Sequence, residues 1–241
     1  MFKIICVGGK NCVHVVNKCL NSIVEQVITD WEMALVLEPA DYKIYVEDER
    51  IKKHINSERL LGMANTVKAL SMLDIDDEDI IVFMDADDWL LDNYSLTKVR
   101  GVYEKYPDTL ITHGSWKSFP PLRKGDRCGP NNAYTEKEFK NLRGSRWSSS
   151  ALRTMKYKLF KLIKDEDLRN NKGEYFAGAE RAIMYPAMEM AGYSRVKFIK
   201  EVICVYNIGR AKSSYDNIER LIKEYKQLES RLPYNRLPKD F

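Results

Sequence analysis

The sequence predicts an α/β fold, a doubly wound and mostly parallel sheet flanked by helices. Three observations predict it. The run Ile80-Ile81-Val82-Phe83-Met84 is apolar without alternation, as expected of a strand covered on both faces. Strand-like and helix-like segments take turns through the first half of the chain, which is the pattern of βαβ units. Acidic residues stand where two of these strands end, Glu38 after the second and Asp85 after the apolar run. Ligands of such sheets bind beyond the carboxyl ends of the strands.

Phe2 to Val7 reads as the first strand, followed by the turn Gly8-Gly9-Lys10-Asn11. Val13, Val16, Leu20, Ile23, Val24 and Val27 then recur at helical spacing. Met33 to Leu37 is a second strand and Lys43 to Val46 a candidate third. Leu60 to Leu73 is helical by composition and leads through the acidic stretch Asp74 to Asp79 into the strand ending at Asp85. Leu96, Val99, Val102, Tyr103 and Tyr106 form another helical stripe, and Leu110 to Thr112 another strand. Lys117 to Tyr134 is rich in proline and glycine, which predicts a long loop of the kind used as a lid or binding loop. Helical patterns resume at Leu152 to Ile163 and at Ala179 to Ala191, with short strands at Val196 to Ile199 and Val202 to Tyr206. An amphipathic helix carrying Ile218, Leu221, Ile222, Tyr225 and Leu228 on one face precedes a proline-containing tail.

With 241 residues, 44% hydrophobic and 31% charged, the chain has the balance of a soluble globular domain with a substantial core. A net charge of +4 is too mild to indicate nucleic acid. Lys117 to Arg169 is richer in base than acid and suits either a diphosphate, an anionic surface or simple solvation. Five cysteines, Cys6, Cys12, Cys19, Cys128 and Cys204, show no CxxC pair. Cys6 and Cys204 sit in apolar runs, which fits buried thiols in a reducing compartment. The N-terminus looks like a strand rather than a signal peptide, and no apolar run approaches the ~20 residues that span a bilayer. The expectation is a cytoplasmic protein without a transmembrane segment, with peripheral contact at a membrane left open. Met184, Met188 and Met190 read as core.

Asp85, Asp87 and Asp88 crowd three negative charges where a buried strand emerges. Like charges there repel unless a cation sits among them. Oxygen-only ligands in this spacing suit Mn²⁺ or Mg²⁺, with coordination positions left for water and phosphate oxygens. The bland alternative, acids capping turns and helix starts, suits Asp92 and the DIDDED run better than this cluster. Haloacid-dehalogenase-type phosphatases also place DxD after an apolar strand. A Gly-Thr pair usually follows there, on the first strand; here Asp88-Trp89 follows, on the fourth.

FMDADDWLL resembles the DxD segment of family-2 type glycosyltransferases of GT-A fold, and further segments resemble that family in its order. Thr29-Asp30-Trp31-Glu32 followed by MALVL resembles the opening unit, with Leu37-Glu38 where an Asp pair usually grips the base. INSERLLGMANTVKAL resembles the stretch that borders the donor diphosphate, matching Asn56, Arg59, Gly62 and Asn65. SSSALRTMKYKLFKLI resembles a subfamily stretch, with Ala151 where a His is usual. EYFAGAERAIMYPAMEMAG and VICVYN resemble the end of the catalytic domain, with Glu180 where the catalytic base is usually Asp.

The resemblance implies a GT-A catalytic domain over residues 1–208, with a nucleotide-sugar half at 1–115 and an acceptor half at 116–208, and a C-terminal helix and tail at 209–241. It implies metal-dependent, inverting transfer from a nucleotide-diphosphate sugar to a glycan or other hydroxyl acceptor. Asp87, with Asp85 and Asp88, would hold the metal; Glu38, Arg59, Asn65, Asp85, Ala86 and Asp87 would bind the donor; Glu180 would be the base. Trp116, Arg146 and Trp147 are assigned to the acceptor, and His113 is read as an ordinary polar residue. A nucleotidyl or phosphoryl transferase, a phosphatase and a non-catalytic nucleotide-sugar-binding relic are the alternatives.

Overall fold

The computed structural model describes residues 1–122, 132–149, 151–209, 218–238 and 241. In chain order the elements are β1 (Phe2–Gly8), α1 (Val16–Val24), β2 (Trp31–Leu37), β3 (Ile51–Ile55), α2 (Gly62–Ser71), β4 (Ile80–Asp85), β5 (Trp89–Leu90) and α3 (Ser95–Lys105). There follow β6 (Ile111–Phe119), α4 (Glu136–Lys140), β7 (Arg153–Lys156), α5 (Tyr157–Phe160), α6 (Ala179–Ala191), β8 (Val196–Asn207) and α7 (Ile218–Ser230). Among the described residues the strands form one eight-stranded sheet in the order β3-β2-β1-β4-β7-β6-β8-β5. Pairing is parallel from β3 through β4 and between β6 and β8, and antiparallel around β7 and at β5. This is the mixed, mostly parallel sheet that the sequence predicts.

The apolar strands are explained by cover on both faces. Phe2, Ile4 and Cys6 of β1 pack with Val16, Leu20 and Ile23 of α1 and with Leu96 and Val99 of α3. Ile5 points the other way, into a second core with Met63 of α2 and with Ile183 and Tyr185 of α6. In register, Val7 of β1 lies opposite Val36 of β2 and Asp85 of β4. Three parallel strands therefore finish level, and Gly8, Glu38 and Asp85 share one edge of the sheet.

Several elements differ from expectation. Lys43 to Val46 forms no strand; the third strand is β3, whose residues after Ile51 are at least partly exposed. It is an edge strand, and edges are kept charged against aggregation, so Lys52 and Lys53 hide it from an apolar pattern. Leu152 to Ile163 is not one helix but β7 followed by the single turn of α5. Antiparallel pairing of Thr154 with Val82 and of Met155 with Ile81 overrides helical composition there, and Thr154 Oγ1 adds hydrogen bonds with Thr112 and Tyr103 of 2.7 and 2.8 Å. The two short strands expected after Val196 are one strand, β8, whose register against β6 shifts around Ser115. The predicted Lys117 to Tyr134 loop begins later, because β6 runs to Phe119; residues 123–131, with Cys128, lie outside the described residues. Cys6, Cys12, Cys19 and Cys204 are buried free thiols, and Met184, Met188 and Met190 are core. Among the described residues no helix is long and apolar enough to cross a membrane.

Candidate active site

A crevice of about 900 Å³ opens at the carboxyl ends of β1, β2 and β4. A second hollow, of about 810 Å³ between α1 and residues 41–45, contains none of the three clustered aspartates. Asp41, three residues after Glu38, lines that second hollow.

The crevice floor is the aspartate cluster. Asp85, Asp87 and Asp88 bring carboxylate oxygens within 4.8 Å of one another. Local backbone geometry sets this up: Ala86 N–H continues the ladder to Val7 O at 2.8 Å, and Asp88 N–H turns back to Asp85 O at 3.0 Å. Asp87 and Asp88 are 4% and 2% exposed. Asp87 Oδ2 accepts from Asn11 Nδ2 at 2.6 Å, and Asp88 Oδ1 accepts from the backbone N–H of Asn207 at 2.9 Å. Ala86 is fully buried beneath the cluster. A Cβ on Gly8 would lie 2.6 Å from Ala86 Cβ and 2.7 Å from Cys12 Sγ, so only glycine lets the first turn close over the fourth strand. Burial, reinforced by the charge of Asp87, pushes the Cys12 thiol up to about 12. Cys12 thus stays a thiol, and the donors clustered at the end of β4 are carboxylate oxygens, the set that fits a hard divalent cation.

Glu38 and Asn65 meet on one wall. Glu38 Oε1 accepts from Leu61 N–H at 2.6 Å and Asn65 Nδ2 at 2.8 Å, while Oε2 accepts from Leu60 N–H at 3.0 Å. Leu61 holds a left-handed φ of 71°, an uncommon state for a branched side chain; the Glu38 carboxylate ties down the two N–H groups around it. Both residues line the crevice while bonding each other and the loop before α2. Arg59, exposed, lines the same crevice.

Across from the aspartates, Glu180 stands in the first turn of α6, where the helix dipole favours an acid. Tyr225 of α7 donates its hydroxyl to Glu180 Oε1. Trp116 is 8% exposed and packs on Tyr206 with centroids 5.0 Å apart; both line the crevice. Trp147, also in the lining, sits edge-on to Tyr185 at 5.3 Å. Arg146 is not brought there: it is exposed and its Nε pairs with Glu138 Oε1 at 2.9 Å, in the capping box of α4. His113 is buried between Tyr134 and Phe198, and burial, with the charge of Arg153 adding, brings its imidazole down to about 4.

Sequence reasoning missed Asn11, Arg153, Arg220, Leu221 and Tyr225. Arg153 faces the crevice because β7 runs antiparallel to β4, which sets Arg153 opposite Phe83; a helical reading of that stretch concealed it. Asn11 stands in the turn Gly8-Gly9-Lys10-Asn11, and a short polar side chain after a glycine pair at a strand end is the signal available. Arg220, Leu221 and Tyr225 carry no local signal, since their role depends on where α7 docks.

No protein-family model matches the chain, and no curated protein matches its sequence. Solved structures do resemble it. The crystal structure of S. aureus TarS residues 1–349 in complex with UDP-GlcNAc matches with a TM-score of 0.63 at 14% identity, over 95% of this chain and 65% of that one. The same TarS fragment in complex with UDP matches with a TM-score of 0.55 at 16% identity, over 93% of this chain and 64% of that one. A longer S. aureus TarS structure matches with a TM-score of 0.58 at 14% identity, over 94% of this chain and 42% of that one. The chain thus spans just under two thirds of the TarS fragment. At this identity the likeness shows the fold, which is GT-A.

Proposed function

We propose that this chain is a nucleotide-sugar glycosyltransferase that moves a sugar, with inversion, from a nucleoside-diphosphate sugar to a hydroxyl acceptor with the help of a divalent cation. The observation that carries the reading is the crevice itself: three aspartates within 4.8 Å at the end of β4 and Glu180 in the lining of the same cavity. The match to TarS bound to UDP-GlcNAc supports a donor of this class.

Asp85, Asp87 and Asp88 fit Mn²⁺ or Mg²⁺ by donor chemistry, and such an ion, when bound, offsets charge on a departing diphosphate as a Lewis acid. The chain's own groups supply the rest. Asn11 and the Asn207 N–H each hold one carboxylate oxygen, fixing the aspartates before donor arrives. Lys10, Arg59 and Arg153 line the crevice and attract the donor's phosphates. Glu180 takes the proton of the acceptor hydroxyl as it attacks the face of the sugar opposite the diphosphate. A positioned base contributes ~10²–10⁴-fold. Trp116 and Trp147 offer apolar walls that keep water from the reacting centre. The acceptor is a glycan or glycoconjugate hydroxyl.

The test is a thermal shift against a panel of nucleotide sugars with and without Mn²⁺, followed by detection of the released product. A metal-dependent shift and release of nucleoside diphosphate are expected. Release of pyrophosphate instead would mean nucleotidyl transfer, and binding without turnover would mean a non-catalytic relic.

A further inference from the structure

The face of α7 that turns inward is the predicted apolar face, rotated: Leu221, Tyr225 and Leu228 turn in with Glu224, and Ile218 and Ile222 are left outside. Ile218 and Ile222 are 48% and 49% exposed, while Glu224 and Leu228 are 5% and 2% exposed. A carboxylate is costly to bury without donors, and Glu224 has three: Ala177 N–H at 2.7 Å, Arg220 Nε at 2.8 Å and Asn170 Nδ2 at 3.2 Å. Further along the helix, Arg143 donates to Leu228 O at 2.6 Å, and Arg231 donates to Asp167 O and Arg169 O at 2.6 and 2.5 Å. These bonds fix the helix in rotation as well as position.

That rotation carries Tyr225 over the start of α6. A Cβ on Gly178 would stand 3.2 Å from the Tyr225 hydroxyl and 3.1 Å from Leu221 Cδ1, so the bare backbone of Gly178 lets the phenol reach the next turn and Glu180. The Tyr225 ring is also held by the Arg181 guanidinium, 4.0 Å from the ring centroid. Burial first, and then the charge of Glu180, push the phenol far above its ordinary pKa, so it remains a proton donor wherever the carboxylate is ionised.

We infer that Tyr225 is a positioning residue for Glu180, holding one carboxylate oxygen so that the other meets the acceptor hydroxyl, and that α7 is therefore part of the active site. The inference rests on the proposed function. A glutamate has three rotatable bonds, and fixing them before the acceptor arrives removes an entropic cost from the reaction. The tyrosine ring, with two, is the stiffer partner.

Tyr225→Phe keeps the ring and removes only the hydroxyl. Turnover is read as nucleoside diphosphate released from a panel of UDP-, GDP- and dTDP-sugars with Mn²⁺, water serving as acceptor, in the wild type, Tyr225→Phe, Glu180→Gln and the double variant. In the wild-type background the substitution is expected to lower kcat roughly 10-fold, the scale of a hydrogen bond to a charged group, with the donor KM unchanged. In the Glu180→Gln background it is expected to change nothing further, because residues acting through one another are non-additive. Wild-type kcat in Tyr225→Phe, or an equal fold-loss in both backgrounds, overturns the inference and leaves the proposed function standing. A wild-type chain that releases no nucleoside diphosphate from any of these donors overturns both.

Discussion

Asn11 and Asp87, 76 positions apart in the chain, are joined by a hydrogen bond of 2.6 Å from the side-chain amide to Oδ2. The bond ties the turn after β1 to the aspartate cluster after β4, two strands that run parallel and end level. Partners of this kind, which orient a ligand without touching the metal, typically cost 10–100-fold in metal affinity when removed. Asn11→Ala is therefore expected to weaken by about 10-fold the Mn²⁺-dependent binding of whichever nucleoside diphosphate the wild type binds among UDP, GDP and dTDP, with little change in the metal-free affinity. Titration calorimetry with and without Mn²⁺ measures both, and an unchanged Mn²⁺-dependent affinity would show that the bond organises nothing.

Asp87→Ala removes a buried carboxylate from a cluster whose oxygens lie within 4.8 Å of each other. Relief of repulsion with Asp85 and Asp88 is set against loss of the bond from Asn11, so stability in metal-free buffer is expected to change little. The thermal shift produced by Mn²⁺ with a nucleotide sugar is expected to vanish. A retained shift would move the cation elsewhere.

Glu180→Gln is isosteric, and a glutamine carbonyl oxygen can still accept from Tyr225. Donor affinity is expected to stay within about twofold, while transfer falls ~10²–10⁴-fold. Initial rates against donor concentration separate the two effects. Transfer at the wild-type rate would remove Glu180 from the role of base.

His113 links stability to pH. Its folded pKa, about 4, lies below the unfolded value of 6.5. Between these values the unfolded chain binds the extra proton, so the neutral imidazole's contribution is intact above pH ~6.5 and is lost as pH falls toward 4. The full loss is about 3 kcal/mol. Urea midpoints across this range should fall more steeply for the wild type than for His113→Phe. Equal slopes would mean that the ring is protonated without penalty.

Gly62→Ala tests the packing behind the crevice wall that holds Glu38 and Asn65. A Cβ there would sit 2.7 Å from the backbone carbonyl of Ala177, the same oxygen that accepts from Gly62 N–H at 3.0 Å. Neither backbone segment can yield cheaply, and overpacking of this kind costs about 1–3 kcal/mol. Chemical denaturation should show that loss, and a neutral substitution would mean that the Ala177–Gly178 segment moves freely.

The aspartate cluster was legible because it is local: a short unbroken apolar run ahead of clustered acids fits a covered strand, and the residues after it emerge together, whereas Glu180 was singled out by the family resemblance. The alternation of strand and helix, read the same way, is enough for the fold class. Side chains that come from elsewhere had no such signature. Arg153 enters the crevice only once β7 pairs antiparallel with β4, where cross-strand packing outweighs helical propensity. Glu38 and Asn65 both line the crevice, yet that they hold one another follows from the loop before α2 folding back to β2. The placement of α7 is a tertiary matter altogether. A pattern of apolar residues names a face, but the burial of Glu224, satisfied by three donors from two regions of the chain, rotates that face so that Ile218 and Ile222 stay outside and Tyr225 reaches Glu180.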